Sequence, residues 1–232
     1  MIKLVAFDWN GTLLPDSKPI WECDNIIFKR YGRKPISYKR FQETFDIPIS
    51  KYWTANGLDE KVFSEHHEEI HDEFFRIYSA KVAKSRTRAG AKEVLKWLDR
   101  NKIATIIYSN HFVHDIKSHL SRLGILEYFC DILGRPKKSQ EHMHNRFKET
   151  NLRNYIKSKR YRPDEVMSVG DTVEELEIGH SLGIRAVALT GGHNSTKRLK
   201  ACKPDFIIHN LKDLILIIKK LNSSRPRKPI LC

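Results

Sequence analysis

Apolar positions follow two rhythms along this chain. Short continuous runs, Ile2–Phe7 (broken only by Lys3), Ile103–Tyr108, Val166–Val169, Arg185–Leu189 and Phe206–Ile208, have the length and β-branched content of strands covered on both faces. Phe129–Leu133, interrupted by Asp131, reads as a further short strand. Elsewhere apolar residues recur every three or four positions, which predicts amphipathic helices. Ile20, Ile26, Ile27 and Phe28 share one helix before Gly32, and Tyr38–Phe45 forms a second before Pro48. Val62, Phe63, Ile70, Phe74, Ile77 and Tyr78 predict a single long helix beginning near Asp59. Further helices are expected around Ala91–Leu98, Phe112–Leu123 (stopped by Gly124), Lys148–Lys159, Glu174–Leu182 (stopped by Gly183) and Leu211–Leu221. Lys51–Gly57, which holds Tyr52 and Trp53, reads as a loop, and Gly134–Asn145 as a long basic one. Strand alternating with helix predicts an α/β fold with a doubly wound parallel sheet.

The strand-like runs end in unusual residues. The first delivers Asp8, Asn10, Gly11 and Thr12, the second Ser109 and Asn110, and the third Asp171, Thr172, Glu174 and Glu175. In an open parallel sheet, ligands gather beyond the carboxyl ends of the strands, so these residues would meet at one edge. Gly11 permits a sharp turn, and Thr12 can offer an N–H and a hydroxyl to an anion. Taken singly, Asp8 could be a metal ligand, a nucleophile or a helix cap. Asp171 could equally cap the helix that follows it, and Ser109 could be an ordinary turn residue.

With Lys148 lying twenty-three positions before Asp171, the three strand ends resemble, in order, the motifs of haloacid dehalogenase (HAD) superfamily phosphatases. The resemblance is to the phosphoglycolate-phosphatase-like branch, with a helical cap between the first and second motifs. It implies a HAD-like Rossmannoid catalytic core at residues 1–14 and 87–221, a small all-helical cap at 15–86 and a basic tail at 222–232. It also implies a phosphoric monoester hydrolase with Asp8 as nucleophile, forming an aspartyl-phosphate, and Mg²⁺ held by Asp8, the carbonyl of Asn10, Asp171 and, through water, Glu175. Ser109 and Asn110, together with Gly11 and Thr12, would hold the phosphoryl oxygens, and Lys148 would neutralise the transferring group. Lys137 and Lys138 precede Lys148 in the same basic stretch and compete with it for that role. Glu175 stands where the family more often has aspartate.

Asn10 is the informative departure, because the family's pattern there is an acid that protonates the leaving oxygen and then activates water. An amide cannot exchange a proton at neutral pH. Losing a positioned acid–base group typically costs ~10²–10⁴ in rate, so the enzyme is expected to be slow or to favour leaving groups that need no acid. Aryl phosphates such as phosphotyrosine fit that description. His111 and His193 follow predicted strands and could supply the missing proton. Trp53, Tyr52, Phe74, Phe75 and Tyr78 could wall a substrate, or could simply form the core of the helical segment. His66, His67 and His71 lie among acids on what reads as a solvated helix face.

Composition narrows the setting. An apolar content of 40% supports a proper core, and the four cysteines lack metal or disulfide spacing, which points to free thiols in a reducing compartment. No signal peptide, membrane-length apolar run or prenylation pattern is visible, so a cytoplasmic location is expected. A net charge of +14 would draw in phosphorylated small molecules or phosphoproteins, and could also serve contact with nucleic acid or an anionic membrane. The contrasting reading is a catalytically silent HAD-like domain that binds a phosphorylated ligand or partner. Retention of Asp8, Ser109, Lys148 and Asp171 together argues against it, and Asn10 argues for it.

Overall fold

The computed structural model describes residues 1–136 and 147–223. Six strands, β1 (Leu4–Phe7), β2 (Ala104–Phe112), β3 (Asp131–Arg135), β4 (Val166–Gly170), β5 (Arg185–Leu189) and β6 (Phe206–Ile208), form one sheet. Their order is β3-β2-β1-β4-β5-β6, and every pairing is parallel. Successive side chains of a strand point to opposite faces. Val5 and Phe7 therefore join one core with Val94, Leu98, Ile107 and Ile218, while Leu4 and Ala6 join another with Ile106, Leu152 and Ile178. Burial on both faces is why the strands read as unbroken apolar runs. Among the described residues, six helices flank the sheet: α6 (Ala91–Arg100), α7 (Val113–Leu123), α8 (Phe147–Ser158), α9 (Val173–Leu182), α10 (Thr196–Ala201) and α11 (Asp213–Ser223).

β1 lies between β2 and β4, with Phe7 level with Ile107 on one side and Val169 on the other. The strand order reverses direction at this point, which opens a crevice beyond the carboxyl ends. Asp8, Ser109 and Asp171 all emerge there. β2 does not end at Tyr108. It runs on through Ser109, Asn110 and His111 to Phe112, which pairs with Arg135 of β3 after a register shift.

Five helices separate β1 from β2: α1 (Ser17–Arg30), α2 (Tyr38–Thr44), α3 (Ile49–Ala55), α4 (Glu60–Glu65) and α5 (His67–Val82). Two expectations fail here. The stretch around Tyr52 and Trp53 is helical, because both side chains are buried and both donate to Asp24, at 3.0 and 3.1 Å. The single helix expected from Asp59 to Tyr78 is two, broken at His66 (φ −112°, ψ 16°). The break lets Phe63 pack on Trp53, with ring centroids 5.5 Å apart. Helix α10 was not anticipated; it is short and mostly polar, and starts where the Ser195 side chain accepts from Arg198 N–H. Lys137, Lys138, most of the expected basic loop and residues 224–232 of the tail lie outside the described residues. Among the described residues, no helix is long and apolar enough to cross a membrane.

Asp24 makes this helical segment sensitive to pH. Burial is the main cause that pushes its carboxyl from 3.8 up to about 7, and the Tyr52 and Trp53 donors only partly oppose it. The folded state therefore binds this proton more tightly than the unfolded chain. The stability this contributes is complete below about pH 4 and is lost as pH rises through about 7. The interval corresponds to up to about 4 kcal/mol. Asp24→Asn keeps an acceptor for Trp53 and should raise the melting temperature at pH 8 by several degrees while changing little at pH 4. Equal effects at both pH values in thermal unfolding would rule this account out.

Candidate active site

The site is built around a buried lysine. Helix α8 packs Leu152 and Tyr155 against Ile106 and Tyr108 of β2, which leaves its first turn at the carboxyl edge of the sheet. Lys148 Nζ donates to Asp8 Oδ1 at 2.7 Å and to Glu175 Oε1, and lies 3.6 Å from Glu174. Glu175 also accepts from Thr172 N–H (2.9 Å) and Oγ1 (2.6 Å), closing the first turn of α9. Both oxygens of Glu175, expected beside the metal, are thus engaged by protein donors. Asn110 Nδ2 donates to Glu174 Oε2 at 2.8 Å, and Ser109 Oγ accepts from His111 N–H at 3.1 Å.

Asp171 anchors the other side. Its Oδ1 accepts from Thr12 Oγ1 (2.7 Å), and its Oδ2 accepts from His193 N–H (2.7 Å) and Nδ1–H (2.8 Å). Gly11 adopts φ +75°, and a Cβ there would fall 2.2 Å from Asp171 Oδ2 and 2.3 Å from His193 Nδ1, so only glycine fits. Gly11 N–H donates to Asp16 Oδ1 at 2.6 Å. Asn10 Nδ2 donates to Asp16 Oδ2 (2.6 Å) and Tyr78 Oη (2.9 Å), and Tyr78 Oη–H donates to Asp16 Oδ2 (2.5 Å). The Gly11 N–H and Thr12 hydroxyl, expected at the substrate, are used instead to hold the loop and Asp171.

Asp16 carries no sequence signal of its own beyond an acid set among Leu13, Leu14 and Pro15. Only the fold buries it completely. His193 is not presented as a free acid; it is clamped to Asp171. Burial works against its charge, but Asp171, Asp16 and Asp8 raise it to about 9. His111 goes the other way: burial depresses it to about 4.

Negative charge is in excess. Asp8, Asp16, Asp171, Glu174 and Glu175 face Lys148 and His193, with the Arg88 guanidinium in reach of Asp171 and Asp16 and that of Arg135 in reach of Glu174. Burial pushes Asp8 well above the usual carboxylate range; Lys148 pulls it down, and Glu175 and Asp171 add to the rise. Burial also opposes the Lys148 charge, yet Asp8, Glu175 and Glu174 hold its pKa well above the ordinary value. The donor chemistry, carboxylate oxygen with uncompensated charge, suits a hard divalent cation. Among the described residues, no three Asp, Glu, His or Cys side chains converge to hold an ion by themselves. A main-chain oxygen and water would have to complete the shell, which is how Mg²⁺ is usually held.

A cavity of about 430 Å³ opens above these groups. Asp8, Asn10, Lys148 and Glu174 line its floor, and Phe45, Pro48, Trp53, Phe63, Phe74 and Phe75 line its apolar walls. His67 and His71 also face it, which corrects the expectation of a fully solvated helix face. The aromatic residues divide: Trp53, Phe74 and Phe75 reach the cavity, while Tyr52 and Tyr78 are buried beneath it. The wall is pinned to the core. Ser195 N–H donates to Gln42 O at 3.0 Å, Gln42 Nε2 to Gly192 O at 2.8 Å and Asn194 Nδ2 to Phe45 O at 2.8 Å.

A family model for haloacid dehalogenase-like hydrolases matches residues 2–196. A protein named phosphoglycolate phosphatase 1 from Pseudomonas aeruginosa is 24% identical over 226 residues, spanning 92% of this chain and 78% of that protein. Phosphoglycolate phosphatase from Photobacterium profundum is 25% identical over 227 residues, spanning 94% and 96%. Among solved structures, a haloacid dehalogenase-like family hydrolase from Streptococcus pneumoniae superposes with a TM-score of 0.77 at 21% identity, covering 94% of this chain and 98% of that one.

Proposed function

The chain belongs to the haloacid dehalogenase-like hydrolase family, and from that premise we propose that it is a Mg²⁺-dependent phosphomonoester hydrolase with Asp8 as nucleophile. The observation that carries this reading is the buried Lys148 bridging Asp8 and Glu175, at an edge otherwise overloaded with carboxylate. Mg²⁺, held by Asp8, Asp171 and the Asn10 carbonyl, would neutralise phosphate charge. Asp8 attacks phosphorus, the bond to the leaving oxygen breaks, and an aspartyl-phosphate forms on Asp8. Water then attacks phosphorus, the acyl–phosphate bond breaks, and inorganic phosphate leaves. Lys148 offsets charge on the transferring group and keeps Asp8 aimed, while Glu175 and Tyr108, whose ring centroid lies 4.8 Å from Nζ, fix the lysine. Ser109 and Asn110 border the phosphoryl position. We read residues 15–86 as the cap that forms the cavity's apolar walls.

The substrate reading favours aryl or other bulky phosphomonoesters. Asn10 cannot protonate a leaving oxygen, and its amide is already committed to Asp16 and Tyr78. A phenolate leaves without that proton far more readily than an alkoxide. The cavity's aromatic walls also suit a ring better than a two-carbon acid such as phosphoglycolate, the substrate in the names of the relatives.

Mg²⁺-dependent phosphate release from phenyl phosphate and from an alkyl phosphate tests both parts. Wild type should turn over the aryl ester with clear preference. Asn10→Asp places a second carboxyl where the amide now sits, 2.6 Å from Asp16, and two such groups share a proton. That retained proton is the one an alkoxide needs, so alkyl turnover should rise by ~10²-fold or more. Absence of turnover in wild type on either ester, with activity appearing only in Asn10→Asp, would favour the silent-binder reading.

A further inference from the structure

Arg135 stands at the rim of the same cavity with no ion-pair partner among the described residues. It ends β3 and pairs with Phe112, three residues beyond Ser109 on the neighbouring strand. Leu133 lies level with Tyr108, so the backbone of Arg135, two residues further along β3, sits about 7 Å beyond the Tyr108 level. Its Nε is buried and has no hydrogen-bond partner among the described residues. Among the described residues, it makes no ion pair within salt-bridge distance. Among the described residues, the carboxylate whose field reaches it is Glu174, which is already held by Asn110 at 2.8 Å and faces Lys148 at 3.6 Å. Desolvating a guanidinium donor without an acceptor is costly, so a protein keeps one in a cavity wall when a ligand completes it.

We propose that Arg135 forms a second anion subsite, so that the substrate is a phosphomonoester carrying another acidic group, carboxylate or phosphate, across an apolar spacer. This rests on the hydrolase reading for the reacting phosphate and adds the chemistry of the far end. The spacer follows from the walls: Phe74, Phe75 and Trp53 line the cavity that Asp8, Lys148 and Arg135 also border. A ring suits these aromatic walls better than a two-carbon spacer. A planar guanidinium can bind either anion through two parallel N–H donors.

Phosphonates test the subsite without requiring turnover. Calorimetry with benzylphosphonate, 4-carboxybenzylphosphonate and p-xylylene bisphosphonate would be run on wild type, Arg135→Gln and Arg135→Lys. Wild type should bind at least one ligand bearing the second anion about ten-fold or more tightly than benzylphosphonate, as a charge-assisted hydrogen bond provides. Whether carboxylate or phosphonate gains more identifies the second group. In Arg135→Gln that discrimination should collapse, and Arg135→Lys should recover part of it. Equal affinities in wild type, or discrimination that survives Arg135→Gln, would overturn the subsite. A uniform loss for all three ligands in Arg135→Gln would overturn it as well, because Arg135 would then serve the reacting phosphate. Phosphate release from phenyl phosphate is measured in parallel: discrimination without turnover leaves the subsite and removes the hydrolase reading, while turnover without discrimination does the reverse.

Discussion

Asp8→Asn should reduce Mg²⁺-dependent phosphate release by ~10⁴-fold or more, to the level of buffer with metal alone. A neutral amide cannot form the acyl-phosphate, so the two-step path closes, and loss of a nucleophile typically costs several powers of ten. The fold should survive. The substitution keeps the shape of the side chain, Lys148 retains Glu175, and one negative charge leaves a cluster crowded with carboxylates. Melting temperature in metal-free buffer should therefore stay level or rise. Phosphate release and thermal unfolding on the same preparation decide the matter; turnover within ten-fold of wild type would remove Asp8 from the nucleophile's role.

Lys148→Met attacks the same ion pair from its other end and should have the opposite effect on stability. Methionine keeps much of the lysine stem's length but leaves Asp8, Glu175 and Glu174 facing one another in a buried site. Removing one partner from a buried pair commonly costs about 3–5 kcal/mol, because the remaining charge is uncompensated. For a chain of this size that is a fall of roughly 10 °C in melting temperature. Turnover should also fall by ~10²–10⁴-fold, since the charge on the transferring phosphoryl group loses its fixed counter-ion. Adding Asp8→Asn to Lys148→Met should restore part of the lost stability, and none of the activity. Additive losses in the double variant would show that the two residues do not act as a pair.

Much of this architecture could be read before any coordinates. β5 and β6 match the expected runs residue for residue, and α7 and α9 end at Gly124 and Gly183, both left-handed. Strands buried on both faces and glycine stops are local signals. Asp8, Ser109 and Asp171 do meet at one edge, because parallel pairing sets Phe7 level with both Ile107 and Val169. Lys148 lies where Asp8 and Glu175 can both reach it. The errors fall where long-range contacts outweigh local pattern. Tyr52 and Trp53 become helical through Asp24, and the helix after Asp59 breaks at His66 so that Phe63 can meet Trp53. β2 gains Ser109 to Phe112 because β3 offers it a partner, which no propensity at those residues announces.

The order of strands and helices, the three chemically loaded strand ends and the amide at position 10 are all properties of the sequence by itself. They follow from side-chain period, glycine placement and spacing, each of which acts over a few residues. Tertiary structure alone decided that Asp16 is buried against Asn10, that His193 clamps Asp171, and that the Gly11 N–H and Thr12 hydroxyl hold the loop together. It also decided that Arg135 reaches the cavity with its Nε unpaired among the described residues. Those arrangements join residues far apart in the chain, and their energies depend on what surrounds each charge once water has been excluded. Burial of that kind is a property of the folded arrangement as a whole.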